Sequence, residues 1–209
     1  DFPVEMIKTS ACLVNSDGVC VGGSSDDEID TFIDPKESSE IDISTGWNIP
    51  SAGFSELNKI KVVSDIVMYR REFSKLGLIE VPKKDLTCEF VPKTSTIAGL
   101  VEILGATCFR DKPDDDGDVG VQLYCGVRNI SNTYIEKVSI KMILIDQEEA
   151  QIEDDERDET LPPRVGKIIN PSLYGVKPGK LRNSSLRVTA SIYLPVAHFS
   201  ADAVAVKEK

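Results

Sequence analysis

The chain has 209 residues, 41% of them hydrophobic, enough for one large domain or a domain with a substantial appendage. No apolar run approaches the roughly 20 residues that cross a bilayer as a helix. A formal net charge of −11 argues against general nucleic-acid affinity, because phosphate binding rests on Lys and Arg.

Met6 to Val14 reads as a strand that enters an Asn15-Ser16-Asp17-Gly18 turn and returns through Val19 to Val21. Cys12 and Cys20 flank the turn, placed to join across a hairpin. Gly22 to Asp42 is acidic and Ser-rich with few large apolar residues, and Trp47, Ile49 and Phe54 follow among Gly and Pro. Residues 1–58 are therefore expected to form an acidic, partly ordered arm, anchored by those three side chains. Val62, Ile66, Tyr69, Phe73 and Leu76 then recur at spacings of four, three, four and three, which is one face of a helix. Gly77 sits where a C-cap would. The pattern predicts a single helix over 62–76 that covers a sheet.

Leu78–Val81 and Leu86–Val91 are short strand signals, each closed by a Pro. Ile97 to Arg110 fits either a buried strand with a bulge at Gly99 or Gly105 or a short helix, and is read as the strand. Asp111 to Asp118 is a loop. Its Asp114-Asp115-Asp116-Gly117-Asp118 run is not an EF-hand: with Gly117 at the glycine position, Lys112 and Leu123 fall where the first and last ligands belong. An irregular Ca²⁺ site there stays open.

Val119 to Asp146 carries the strongest signal. Val121, Leu123, Cys125 and Val127 alternate on one side, and Val138, Ile140, Met142 and Leu144 do so on the next run. The link Asn129 to Thr133 is turn chemistry, so the segment predicts an antiparallel hairpin with one buried face. An acidic loop is expected over Gln147–Glu159. Strands follow near Val165–Ile169 and over Leu186–Leu194, with a turn at Lys177-Pro178-Gly179 and a frayed tail over 196–209.

The fold class expected from these elements is mainly β: an antiparallel β-sandwich with a body at 59–195 and the one covering α-helix. A strand, then Val127-Arg128-Asn129-Ile130-Ser131-Asn132, then a strand ending in Ile145-Asp146 resembles immunoglobulin-like and arrestin-like sandwiches over about residues 96 to 195. Jelly-roll proteins of viruses fit the same pattern. The resemblance names no family and implies no function.

Catalytic chemistry is sparse. His198 is the one histidine, and neither a GxSxG motif, a CxxC pair nor a phosphate-binding glycine loop is present. No catalytic residue, metal site, cofactor or small-molecule substrate is expected; a hydrolase built around His198 is the weakest of three readings. Five cysteines cannot all pair within the chain, and a reducing compartment is favoured. Cys108 and Cys125 read as small core residues. Asn129-Ile130-Ser131 and Asn183-Ser184-Ser185 match the glycosylation sequon.

Charge is segregated. Asp26–Asp42 and Glu148–Glu159 each hold eight acids and one base, net −7, whereas Thr160–Lys209 holds eight bases and two acids, net +6. This points to a non-enzymatic interaction or self-assembly protein that acts through complementary acidic and basic surfaces. The candidate partner-binding residues are Arg164, Lys167, Lys177, Lys180, Arg182 and Arg187. The partner is another copy of the chain or another protein. The alternative is a viral structural or movement-type protein whose basic face contacts nucleic acid or an anionic membrane.

Overall fold

The computed structural model describes residues 3–14, 20–34, 61–81, 87–90, 92 and 95–204. The strands are β1 (Val4–Val14), β2 (Cys20–Ile33), β3 (Lys61–Glu80), β4 (Thr87–Phe90), β5 (Thr96–Ile97), β6 (Val101–Arg110), β7 (Val119–Asn129), β8 (Ile135–Ile145), β9 (Gln151–Leu161), β10 (Gly166–Ile169), β11 (Ser172–Val176) and β12 (Ser185–Val204). Trp47, Ile49, Phe54 and the turn at 15–18 lie outside the described residues. The chain divides into one compact unit of Asp1–Arg71 with Leu194–Lys209 and a second of Glu72–Tyr193. The sequence pattern alone places boundaries at 58/59 and 195/196. β3 and β12 each run from one unit into the other, and β12 continues as strand to Val204, through the start of the expected frayed tail.

The fold is mainly β and antiparallel. One sheet has the order β2-β1-β3-β12-β8-β9, and the other β10-β7-β6-β4, with β11 also paired to β7 and β5 to β6. No helix occurs among the described residues, so the predicted covering helix over 62–76 is corrected to the strand β3. Two causes are visible. The segment is rich in β-branched Val and Ile, which suit a pleated surface. In the first unit, β1 pairs with it from Met6↔Tyr69 to Val14↔Lys61, and that ladder satisfies the backbone in extended form. Gly77, expected as a C-cap, instead has φ +147 inside the strand, where burial steps from Leu76 to Ile79 and breaks the period of two.

The first unit also joins β1 to β2 as an antiparallel hairpin, with Val14 opposite Cys20 and Ser10 opposite Asp26. Half of the first acidic block therefore lies in β2, at the edge of its sheet. Cys12 is disulfide-bonded; its partner's side chain lies outside the described residues.

In the second unit the strands of the strongest signal form as expected. Val121, Leu123, Cys125, Val127, Val138, Ile140, Met142 and Leu144 are all fully buried, as are Leu186, Val188 and Ile192 of β12. Their pairing does not match the expectation. β7 pairs with β6, β10 and β11, while β8 pairs with β9 and β12, so β7 and β8 belong to different sheets and make no hairpin. The chain crosses between sheets at Asn129. Its Nδ2 donates to Thr133 O (2.8 Å) and to Leu161 O (2.9 Å) at the end of β9. Its Oδ1 accepts from Ser131 N (2.9 Å) and Ser131 Oγ (2.7 Å). The expected hairpin link over Asn129–Thr133 is thus a corner that ties the end of β7 to a strand of the other sheet.

The expected acidic loop over Gln147–Glu159 is corrected as well. It is largely β9, paired to β8 from Ile135↔Leu161 to Ile145↔Gln151, and it closes its sheet as an edge strand. Carboxylates along an edge strand deter a further strand from adding there. The seam beyond β9 is bridged by side chains: Asp155 Oδ2 accepts from Ser172 N (2.7 Å), and Lys167 pairs with Glu159. Of the two glycines offered for a bulge, Gly105 carries it, as a register shift between Ile103 and Gly105 with φ +145, while Gly99 lies in the turn between β5 and β6.

Candidate functional site

All six candidate cations lie in the second unit. Arg164 follows β9 in a left-handed conformation (φ +64), and its Nε and Nη2 both donate to Asn132 Oδ1, at 3.1 and 2.9 Å. Lys167 on β10 pairs with Glu159 at 2.5 Å, Lys177 at the end of β11 with Asp118 at 2.6 Å, and Arg187 on β12 with Glu149 at 2.9 Å. Two of those acids, Glu149 and Glu159, come from the second acidic block. The basic segment and that block therefore meet within one chain. Exposed pairs of this kind stabilise little, yet each places a carboxylate beside the cation and lowers the local positive potential.

Lys180 and Arg182 remain. They sit on the turn between β11 and β12, exposed, and neither side chain meets a partner among the described residues. Leu181 between them is buried and pins the turn, and Lys180 N donates to Lys177 O at 2.9 Å. Arg182, Asn183 and Ser184 line a cleft of about 590 Å³ with Glu80, Arg110 and Gln147. An adjoining cleft of about 320 Å³ adds Lys180, Asp146 and Glu148. Both signs of charge line them, and no nucleophile stands beside a base.

In the first unit, His198 Nε2 lies 3.5 Å from Asp65 Oδ1, and Ser200 Oγ donates to that same oxygen. A hydrolytic relay needs serine bonded to histidine and histidine to the acid. Here both groups converge on one carboxylate, and His198 and Asp65 are well exposed.

The Asp114–Asp118 loop is organised by its own carboxylate. Asp114 Oδ1 accepts from Asp116 N (3.0 Å) and Asp118 N (2.8 Å), Gly117 supplies φ +78, and Asp118 is held by Lys177. No group of three metal-ligating side chains occurs among the described residues. The sequon at Asn129 is closed to modification in the folded chain, because that side chain is buried and bonded at both ends.

Cys108 and Cys125 are buried and not disulfide-bonded. Burial pushes the Cys125 thiol up from 9.0 to about 12, since the thiolate would be desolvated. The folded state therefore keeps a proton that the unfolded state loses above about pH 9. That contribution is complete below the unfolded value and falls as pH rises from about 9 to about 12. Cys125 is expected to resist alkylation at pH 8.5 in the native chain and to react promptly in 6 M guanidinium, read by mass spectrometry. Native labelling at the unfolded rate would contradict its place in the core.

One surface escaped the sequence reading. On the outer side of the second sheet, Leu104, Tyr124 and Ile168 stand exposed around Gly126. The available signal was the outward row of β7, Gly120, Gln122, Tyr124, Gly126 and Arg128, which is less polar than a solvated sheet face usually is.

No family model and no curated protein matches the chain. Among solved structures, the trimeric lipoprotein SadB of Salmonella enterica is similar over 60% of this chain and 60% of its own, at 12% identity and a TM-score of 0.26. A structure of the infectious bursal disease virus Gx strain is similar over 94% of this chain and 50% of that one, at 7% identity and a TM-score of 0.25. The chain thus spans 60% or less of each of them, and likeness at this level carries no argument about fold or function.

Proposed function

We propose that the chain is a non-enzymatic interaction and self-assembly protein whose 72–193 unit is a β-sandwich. The sandwich reading is supported by the crossing from β7 to β8 between sheets and by the burial of the facing rows of both strands. The observation that carries the functional reading is the sorting of charge by element. Acidic residues occupy the edge strand β9, while Lys180 and Arg182 share one exposed turn without a partner among the described residues. A second copy, or another protein with an acidic strand, is the fitting occupant of that turn.

The alternative, a viral structural or movement-type protein that contacts nucleic acid or an anionic membrane, needs an open cationic face. Lys167, Lys177 and Arg187 each already sit against a carboxylate, which favours the protein-binding reading.

Light scattering after size exclusion, at about 50 mM and about 500 mM salt, is the test. An oligomer at low salt that falls apart at high salt, and that is lost at low salt in Lys180→Glu/Arg182→Glu, is the expected result. An oligomeric state indifferent to both changes would sink the charge-driven reading. RNA or acidic vesicles retained at about 50 mM salt would favour the alternative.

A further inference from the structure

We propose that Asn183 is a glycan acceptor, joined through its side-chain nitrogen to an oligosaccharide in an oxidising compartment. Asn183-Ser184-Ser185 is one of two sequons in the chain, and the structure treats the two oppositely. Asn129 of the other is fully buried, with its amide nitrogen donating to Thr133 O and Leu161 O. Asn183 is exposed at the end of the turn between β11 and β12, in a left-handed conformation (φ +63), and its side chain meets no partner among the described residues. Its neighbours hold it out. Leu181 is buried, and so is Ser184, whose Oγ donates to Lys180 O. Ser185 supplies the hydroxyl that the motif requires. It is half-buried at the start of β12, opposite Ile145, and that hydroxyl meets no partner among the described residues.

A second observation is independent of the sequon. Cys12 is disulfide-bonded, and disulfides persist where the surroundings are oxidising, which is also where sequons are used. The free thiols do not oppose this. Cys108 and Cys125 are buried away from an oxidant, and Cys125 stays protonated. The donor is an oligosaccharide carried on a polyprenyl diphosphate. Asn183 Nδ2 forms a bond to C1 of the first sugar, and the C1–O bond to the diphosphate breaks. The diphosphate leaves with the electron pair, and the amide gives up one proton. Both sequons are open to this step in the nascent chain, but the fold accepts only one product. A sugar on Asn129 Nδ2 would take a donor from the corner and force its bulk into the core. A folded chain therefore carries the glycan at Asn183 alone. The assignment does not rest on the charge-driven reading but bears on it, since a glycan beside Arg182 shields that turn from a partner.

The experiment takes the full chain from the cells that make it. Peptide N-glycosidase in water enriched in heavy oxygen converts each glycosylated asparagine to heavy aspartate. Mass spectrometry is expected to find the heavy label at Asn183 and none at Asn129. In the same cells, Asn183→Gln and Ser185→Ala are each expected to lose the glycosidase-sensitive shift in electrophoretic mobility. Ser185→Ala leaves the acceptor itself in place and removes only the hydroxyl of the motif. Because the sugar is added to the nascent chain, a variant that folded poorly would still be modified, so a lost shift reports the site. An unlabelled Asn183, a label at Asn129 in the folded chain, or a shift that survives both substitutions overturns the proposal. So does a Cys12 that alkylates without prior reduction, since that takes away the oxidising compartment. None of these readouts depends on oligomeric state, so charge-driven assembly stands or falls separately.

Discussion

Asn129→Ala is expected to destabilise the 72–193 unit by about 3 kcal/mol, read as a fall in the urea midpoint with little change in slope. The side chain is fully buried and makes four hydrogen bonds, two as donor and two as acceptor. Their loss is uneven. Thr133 O and Ser131 N belong to an open turn and can turn to water. Leu161 O lies at a buried strand end and cannot, so it bears the full cost of an unmet acceptor, roughly 1–3 kcal/mol. The remainder comes from the turn itself, which loses the carboxamide that folds Ser131 back on it. Asn129→Asp offers a sharper contrast. It retains the acceptor but turns the donor end into a carboxylate aimed at two carbonyl oxygens. It should be at least as damaging at neutral pH, with partial recovery as the medium becomes acid enough to protonate the new group. A loss below about 1 kcal/mol for Asn129→Ala would mean that the crossing between sheets is held by strand pairing alone.

That corner also marks where the sequence stops being legible. The alternation in 119–127 and 138–144 is a local property, set by which side of each strand is buried, and every one of those positions lies in the core. Which strand pairs with which is not local. A short polar link between two alternating runs is the usual sign of a hairpin, and only the reach of Asn129 to Leu161, 32 residues away, reveals a crossing instead. β9 was illegible for a related reason. Its acids face solvent at an edge, so neither hydrophobic period nor β propensity marks it; its partner β8 supplies the order. The six candidate cations were read from net charge, which is blind to pairing. The structure places Lys167 and Arg187 against acids of the block they were expected to complement in another molecule. The apolar patch around Gly126 carried no charge signal at all. It emerges only when the register sets Leu104, Gly126 and Ile168 side by side.

The helix expected over 62–76 failed where two periods coincide, and one pair of substitutions separates them. Phe73 and Leu76 are three residues apart. On a helix they share a stripe, and truncating either would open the same core. On a strand an odd separation puts them on opposite faces. In β3, Leu76 is fully buried and Phe73 is 62% exposed. Leu76→Ala is therefore expected to cost about 3 kcal/mol, the transfer of the lost methyl groups plus the cavity they leave. Phe73→Ala is expected to cost less than about 1 kcal/mol, since the ring is mostly in water already. Both are read from urea unfolding of the full chain. Equal, large losses would restore the helix and remove β3 from its sheet. Equal, small losses would mean that Leu76 is not in a packed core. The asymmetry fits a strand, in which a separation of three sets Phe73 and Leu76 on opposite faces, one in solvent and one in the core.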